Sequence, residues 1–265
     1  LTERMIKYFL RRIKANLVVK PRVAICVPSG ITEVESRAVV DAAVSAGARR
    51  VYLIEEPVAA AIGAGIDISK PSGSMIVDVG GGTTDIAVLS LNGIVTKESI
   101  KIAGGTFDEA IIRTVRQNHS MLIGERTAER IKIELGSVYP MQDGAEMEVK
   151  GRNLVTGLPQ RFYVSREEIY DALIEYAMEI IAAMQTVLER TPPELVGDIL
   201  QNGITMTGGG AMLTGLDRLI CEHIKAPTHI ADRPDECVAI GTGKAFQYVT
   251  ELYDGFVNMR THQHG

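Results

Sequence analysis

In the stretch MIVDVGGGTTDIAVLSLNGIV, residues 75–95, an apolar run reaches Asp78, passes one valine, enters Gly80-Gly81-Gly82-Thr83-Thr84, and then resumes. Successive glycines weaken any regular element, because each gives up more backbone freedom on folding than another residue would. They make sense where something must approach the main chain closely. A glycine turn at a strand end aims consecutive N–H groups at one concave spot, a nest suited to phosphate oxygens, and the hydroxyls of Thr83 and Thr84 add donors. Asp78 is a poor partner for a phosphate. Its carboxylate suits Mg2+, held directly or through water beside a triphosphate. The same run would also serve as a tight hairpin. ITMT then enters a second triplet, Gly208-Gly209-Gly210, with a helix expected from near Ala211. That helix N-terminus would favour an anion or a ribose-phosphate edge, and a plain strand–helix connection is the alternative. Glu56, in LIEEPVAAAIGAG, closes a strand ahead of a proline. A carboxylate there can orient a water for attack on a terminal phosphate, although a solvated strand end is the ordinary reading of a lone Glu-Pro pair. Glu55 should point the other way, since strand side chains alternate.

The elements that must position these groups are legible in the pattern. Residues 2–15 put Met5, Tyr8, Phe9 and Ile13 on one helical face. RVAICV and RVYLIE are short apolar strands. Between them TEVESRAVVDAAVS carries Thr32 and Glu35 at capping-box spacing. Asn92-Gly93 is a strong hairpin signal between two strands. Strand–helix–strand alternation followed by hairpins predicts an α/β fold with mixed sheets and flanking helices. Helices are expected over 105–135 and 165–190, with a strand-like segment between them that reads as an inserted α+β lobe. VAIGTGKAFQYVTELY reads as a last helix and THQHG as a disordered tail.

Composition narrows the class. With 46% apolar and 23% charged residues, the 265-residue chain has an ordinary globular balance. A net charge of -5 argues against a general nucleic-acid binder. Cys26, Cys221 and Cys237 have no CxxC spacing and read as reduced thiols, neither a disulfide framework nor a zinc site. No apolar run reaches membrane-span length, and no secretory leader is recognisable. Leu1 falls at the start of a helical pattern, so the expectation is that an N-terminal segment is missing.

Taken together, VPSGITEVESRAVVDAA, LIEEPVAAAIGAG, GSMIVDVGGGTTD, IGERTAERIKIELGSVYP, TPPELVGDI and TGGGAMLTGLDRLI resemble the actin, sugar kinase and heat-shock chaperone superfamily. They are most similar to the MreB family of bacterial actin homologues. The resemblance implies an actin-like (ribonuclease H-like) fold. Residues 1–72 would form a partial first lobe completed by the C-terminal helix, 73–105 and 195–240 a second lobe, 106–194 an inserted subdomain, and 241–265 the last helix and tail. It implies ATP and Mg2+ as ligands, with Asp78 on the metal and Gly80, Gly81, Gly82, Thr83 and Thr84 as a phosphate loop. Glu56 and Thr83 would position the hydrolytic water. Glu129, Arg130, Ile131 and Lys132 would lie along adenine and ribose, and Gly208, Gly209, Gly210, Ala211 and Met212 would form the adenosine loop. Read by itself, the pair Glu129 and Lys132, one helical turn apart, is a surface ion pair. A first phosphate loop has no counterpart here, and Asp85 stands where the family more often has glutamate.

The resemblance also implies self-association into head-to-tail filaments, weak ATPase activity coupled to filament dynamics if the missing N-terminal loop is restored, and a cytoplasmic position at the inner face of the cell membrane with cell-wall synthesis proteins as partners. Leu17, Val18 and Val19, flanked by Arg11, Arg12, Lys14, Lys20 and Arg22, suit a loop that dips into an anionic interface. They would equally well begin the following strand. A heat-shock-type chaperone ATPase, a small-molecule kinase, and a nucleotide-free interaction module on the same fold are the rival readings. The chaperone reading would need a substrate-binding domain after residue 265, and the kinase reading a catalytic aspartate in the missing region or a sugar pocket.

Overall fold

The computed structural model describes residues 2–13, 20–141, 143–247 and 256–259. Helix α1 (Thr2–Arg12) leads into β1 (Arg22–Val27), α2 (Glu33–Ser45) and β2 (Arg50–Glu55). This is a parallel pair joined by a crossover helix, with β11 (Phe256–Met259) antiparallel on β2. The capping box is present: Thr32 Oγ1 accepts from the Glu35 amide, and the Glu35 carboxylate accepts from the Thr32 amide.

After α3 (Glu56–Gly63), a second sheet is built from β3 (Ser74–Val79), β4 (Thr84–Ser90) and β5 (Gly93–Ile100). Helix α4 (Gly104–His119), β6 (Met121–Leu122), α5 (Glu125–Leu135), β7 (Glu146–Asn153), β8 (Pro159–Ser165), α6 (Arg166–Glu189) and α7 (Pro193–Asn202) intervene before the chain returns. It returns as β9 (Ile204–Thr207), α8 (Leu216–Ile224), β10 (Thr228–Ile230) and α9 (Cys237–Lys244). The second sheet has the order β10-β9-β3-β4-β5, and β6-β7-β8 form a third. Strands β9 and β3 are parallel, whereas β3, β4 and β5 are successive antiparallel neighbours.

Strand alternation sorts the second sheet into two faces. Met75, Val77, Val79, Ile86 and Val88 enter the large core beneath α4, α5, α6 and α8. Ile76, Ala87 and Leu89 face the other way and pack on α3. Asp78 and Asp85 share parity with this second set, so both carboxylates emerge on the α3 side, where Glu56 opens the helix. Helix α3 also packs on α9 at near backbone contact. A Cβ added to Gly241 would lie 1.7 Å from the Ala59 carbonyl oxygen, and one on Gly63 would lie 1.8 Å from that of Cys237.

Four expectations shift. The hairpin turn is not Asn92-Gly93: Leu91 and Asn92 have φ of 50° and 61°, and Gly93 already pairs with Ser90. An irregularity at Val88/Leu89 slips the register by one residue and moves the primed turn with it. No helix starts at Ala211. Gly209–Met212 form a single 3-10 turn, and α8 begins only after Gly215, which takes φ 81°. The Met5, Tyr8, Phe9 and Ile13 face of α1 is the exposed one, while Ile6 packs on the core shared with α2. The last helix gives way after Lys244 to a 3-10 turn, Ala245–Gln247. Leu17, Val18 and Val19 and the THQHG tail lie outside the described residues.

Candidate functional site

Parallel pairing of β3 with β9 aligns Asp78 with Thr207, so both strands end at one edge and release their glycine triplets side by side. The two triplets need glycine for different reasons. A Cβ on Gly208 (φ 83°) would sit 2.2 Å from the Val79 carbonyl oxygen, and one on Gly210 would sit 2.4 Å from Val79 Cγ1. These two glycines let the second turn lie directly on the end of β3. Gly81, Gly82 and Gly209 instead face open space: beyond their own chain neighbours, no atom of the described residues lies within 4 Å of an added Cβ. Those are the positions at which a ligand can reach the main chain.

The first turn is held from behind. The amide of Gly104 donates to the Gly80 carbonyl (3.0 Å) and that of Gly105 to the Gly81 carbonyl (2.7 Å). The first amides of α4 are thereby used to fix the turn. Two adjoining cavities open on it. One, of about 410 Å³, is walled by Gly80, Gly81, Gly104, Phe107, Glu129, Lys132, Ile133, Gly209, Gly210, Met212, Leu213, Thr214 and Asp235. The other, of about 350 Å³, is bounded by Glu56, Asp78, Gly80, Gly81, Gly82, Thr83, Gly208, Gly209, Pro234, Asp235 and Val238. Shared walls at Gly80, Gly81, Gly209 and Asp235 make them one cleft: a largely apolar end beside Lys132 and an acidic end beside Glu56.

At the acidic end Asp78 and Asp85 are directly opposite one another across the β3–β4 pair. Thr207 Oγ1 donates to Asp78 Oδ1 (2.7 Å), and the Ser29 amide donates to Asp85 Oδ1 (2.8 Å) from the loop that follows β1. The other Asp85 oxygen is buried and makes no hydrogen bond among the described residues. Burial, then the Asp85 and Asp78 charges, push Glu56 up to about 7. Burial pushes Asp78 up to about 6, against the lowering effect of the Thr207 hydrogen bond. Burial, followed by the Glu56 charge, pushes the neighbouring Cys26 thiol up to about 12, which leaves it unreactive.

Raised acids have a stability consequence. Folding favours the protonated Glu56 and Asp78, so the folded state binds more protons than the unfolded chain between their ordinary values of 4.5 and 3.8 and their folded values of about 7 and 6. Stability therefore falls as pH rises through that window. The ligand-free protein is expected to melt at a lower temperature at about pH 7.5 than at about pH 5.5. Glu56→Gln should flatten the slope in a calorimetric pH series. A midpoint that stays flat with pH over this range would mean that the acids are solvated and keep their ordinary values on folding.

Most expected site residues meet here, and some do not. Glu56, Asp78, Gly80, Gly81, Gly82, Thr83, Glu129, Lys132, Gly208, Gly209, Gly210 and Met212 line the cleft. Thr84 is fully buried and spends its hydroxyl on the Ile102 carbonyl (2.6 Å), because β4 parity turns it into the core. Ile131 is fully buried with Ala128 and Leu135 on the core face of α5, and its place at the cleft is taken by Ile133. Arg130 is exposed and lines neither cavity. Ala211 is also a core residue. Glu55 points away from Glu56 and pairs with Lys97 (2.5 Å). Gly104, Phe107 and Asp235 escaped the sequence reading, although Gly104-Gly105 directly after a strand was a third available glycine signal.

The three sheets of the described residues, with a cleft at the strand ends of the second and α3 spanning toward the first, define an actin-like fold. Solved structures agree. MreB5 of Spiroplasma citri bound to ADP superposes with a TM-score of 0.87 at 38% identity, over 93% of this chain and 75% of that one. The same protein bound to AMPPNP gives 0.84. The MamK double helical filament gives 0.79 at 21% identity, a likeness that speaks to the fold alone. A model of the family described as MreB/Mbl protein matches residues 1–254, and the chain belongs to that family. It is 51% identical over 250 residues to the cell shape-determining protein MreB of Escherichia coli (strain K12), covering 94% of this chain and 72% of that protein. To Mbl of Bacillus subtilis (strain 168) it is 50% identical over 252 residues, covering 95% and 76%.

Proposed function

We propose that this protein is an ATP-binding, weakly hydrolysing cytoskeletal actin homologue. In this reading it assembles head to tail into filaments at the inner face of the cell membrane, guides cell-wall synthesis and maintains rod shape. The observation that carries the reading is the convergence of both glycine turns on one cleft, with Lys132 at one end and Glu56 at the other. The ADP and AMPPNP described for the Spiroplasma citri relative support a nucleotide as the occupant. Base and sugar suit the larger, apolar cavity, and the phosphates suit the open backbone at Gly81 and Gly82.

Mg2+ fits the acidic end on the chemistry of its donors. Asp78 and Asp85 oppose each other beneath Glu56, a mutually repulsive arrangement that a divalent cation relieves. Among the described residues no group of three His, Cys, Asp or Glu side chains is arranged to hold a metal unaided. Asp78 would hold the ion together with phosphate oxygens and water, and the ion would neutralise the phosphate charge. Glu56, once ionised, accepts a proton from the attacking water, and Thr83 orients that water. Membrane attachment rests on Leu17, Val18 and Val19 with their flanking cations. Many weak contacts of this kind add up along a polymer. No helix among the described residues is long and apolar enough to cross a membrane.

Titration with a fluorescent ATP analogue and Mg2+ tests the reading, since binding should saturate and unlabelled ATP should compete. Gly81→Val puts a side chain into the space where a phosphate would lie, while meeting no protein atom within 4 Å of its Cβ. It should weaken ATP by at least about tenfold and leave the melting temperature of the free protein in place. Unchanged binding in that variant would remove the first glycine turn from the site. Vesicles of anionic lipid should pellet the chain, and a Leu17, Val18, Val19 to Ser variant should stay in solution.

A further inference from the structure

Lys132 is unusually well tethered for a lysine at the edge of a cavity. From α5 its ammonium donates to the Gly104 carbonyl (2.9 Å) and to Asp108 Oδ2 (2.9 Å), both on α4. The lysine and aspartate side chains are only 16% and 18% exposed, so this is no solvated surface pair. An ammonium carries three N–H donors, and two are used here. The third is left to a side chain that lines the cavity next to Glu129 and Gly209. The string also runs on. Gly104, whose carbonyl Lys132 holds, gives its amide to Gly80, so Asp108, Lys132, Gly104 and Gly80 connect the α4–α5 wall to the first glycine turn.

We propose that Asp108 is a positioning residue for the nucleotide: by clamping Lys132 against the Gly104 carbonyl, it presents the remaining lysine N–H to a sugar hydroxyl and braces the glycine turn. The proposal rests on the reading that the cleft takes a nucleotide, and goes beyond it by naming a residue that touches no ligand. Lysine is a long, flexible side chain that loses much rotamer freedom when a ligand immobilises it. Asp108 imposes that order beforehand, which is preorganisation. Burial raises the Asp108 carboxyl, the hydrogen bond and charge of Lys132 oppose the rise, and the Glu129 and Glu125 charges add to it.

The test is sugar discrimination. The full chain is titrated with ATP, 2′-deoxyATP and 3′-deoxyATP in the presence of Mg2+, and the melting temperature without ligand is recorded alongside. The parent chain should prefer ATP to at least one deoxy form by about tenfold, the scale of one hydrogen bond to a charged group. Asp108→Ala should bind ATP about tenfold more weakly and lose the preference, with Asp108→Glu restoring part of it. A purely structural role would lower all three affinities together and keep their ratio. An unchanged ratio in Asp108→Ala, or a parent chain indifferent to both sugar hydroxyls, overturns the proposal and leaves nucleotide binding standing. A parent chain that binds none of the three overturns the nucleotide reading, and the proposal with it. If the alanine variant fails to fold, the near-isosteric Asp108→Asn is judged by the same ratio.

Discussion

Gly241→Ala is expected to destabilise the protein by about 3 kcal/mol and to lower its thermal midpoint by roughly 6–10 °C. The new methyl would lie 1.7 Å from the Ala59 oxygen, 2.6 Å from the Ala59 carbonyl carbon and 2.9 Å from the Gly63 nitrogen. All three are main-chain atoms of α3, so no rotamer change relieves the overlap and the two helices must separate. Alanine in place of glycine inside a helix would otherwise stabilise by up to about 1 kcal/mol. Gly243 lies on the same short helix with nothing within 4 Å of its added Cβ, and it isolates that propensity effect. Gly243→Ala should be neutral or slightly stabilising, and the two variants should diverge in a thermal melt. Equal midpoints would mean that α3 and α9 do not cross this closely. Separation would also disturb the cleft, because α3 begins at Glu56. ATP turnover in Gly241→Ala should therefore drop by more than the loss of folded protein explains.

Much of this site was visible in residue types alone, because the relevant demands are local. Asp78 ahead of a glycine triplet, a second triplet on another apolar strand, and Thr32 spaced for a capping box all act through their own backbone. The convergence of the two turns depended on something no local pattern encodes, the parallel pairing of β3 with β9 across about 130 residues of chain. Register likewise decided which members of a motif face the cleft. In the glycine-threonine run, Thr83 reaches the cleft and Thr84 the core. In AERIKI, Glu129 and Lys132 face the cavity, while Ile131 lies on the packed stripe.

Glycines hid a second distinction. Gly208 and Gly210 are required by the closeness of Val79, whereas Gly81 and Gly82 leave room for something else, yet all four look alike in sequence. The hairpin slip at Leu91-Asn92 followed from a single irregularity in the β4–β5 ladder, to which an Asn-Gly pair is blind. Asp108 gave no signal because its importance comes from Lys132, 24 positions away.

Glu56→Gln is expected to reduce ATP hydrolysis by about a hundredfold or more, the usual contribution of a positioned general base, while ATP affinity changes by less than about threefold. The position of Glu56 drives both halves of this expectation. It stands at the first residue of α3, over Asp78 and Asp85 and away from the larger cavity that suits base and sugar. Losing its carboxylate should cost the reacting water its acceptor and the bound nucleotide little. The amide keeps the shape of the side chain and can no longer take a proton. Glu55→Gln is the matched control, because Glu55 turns away and pairs with Lys97, and its turnover should stay at the parent level. Phosphate release and nucleotide binding measured on the same preparations separate the two effects. If Glu56→Gln hydrolyses ATP like the parent chain, the water is activated elsewhere in the cleft. If it loses binding as well, Glu56 helps hold the ligand, and the acidic end is part of the binding site rather than the hydrolytic one.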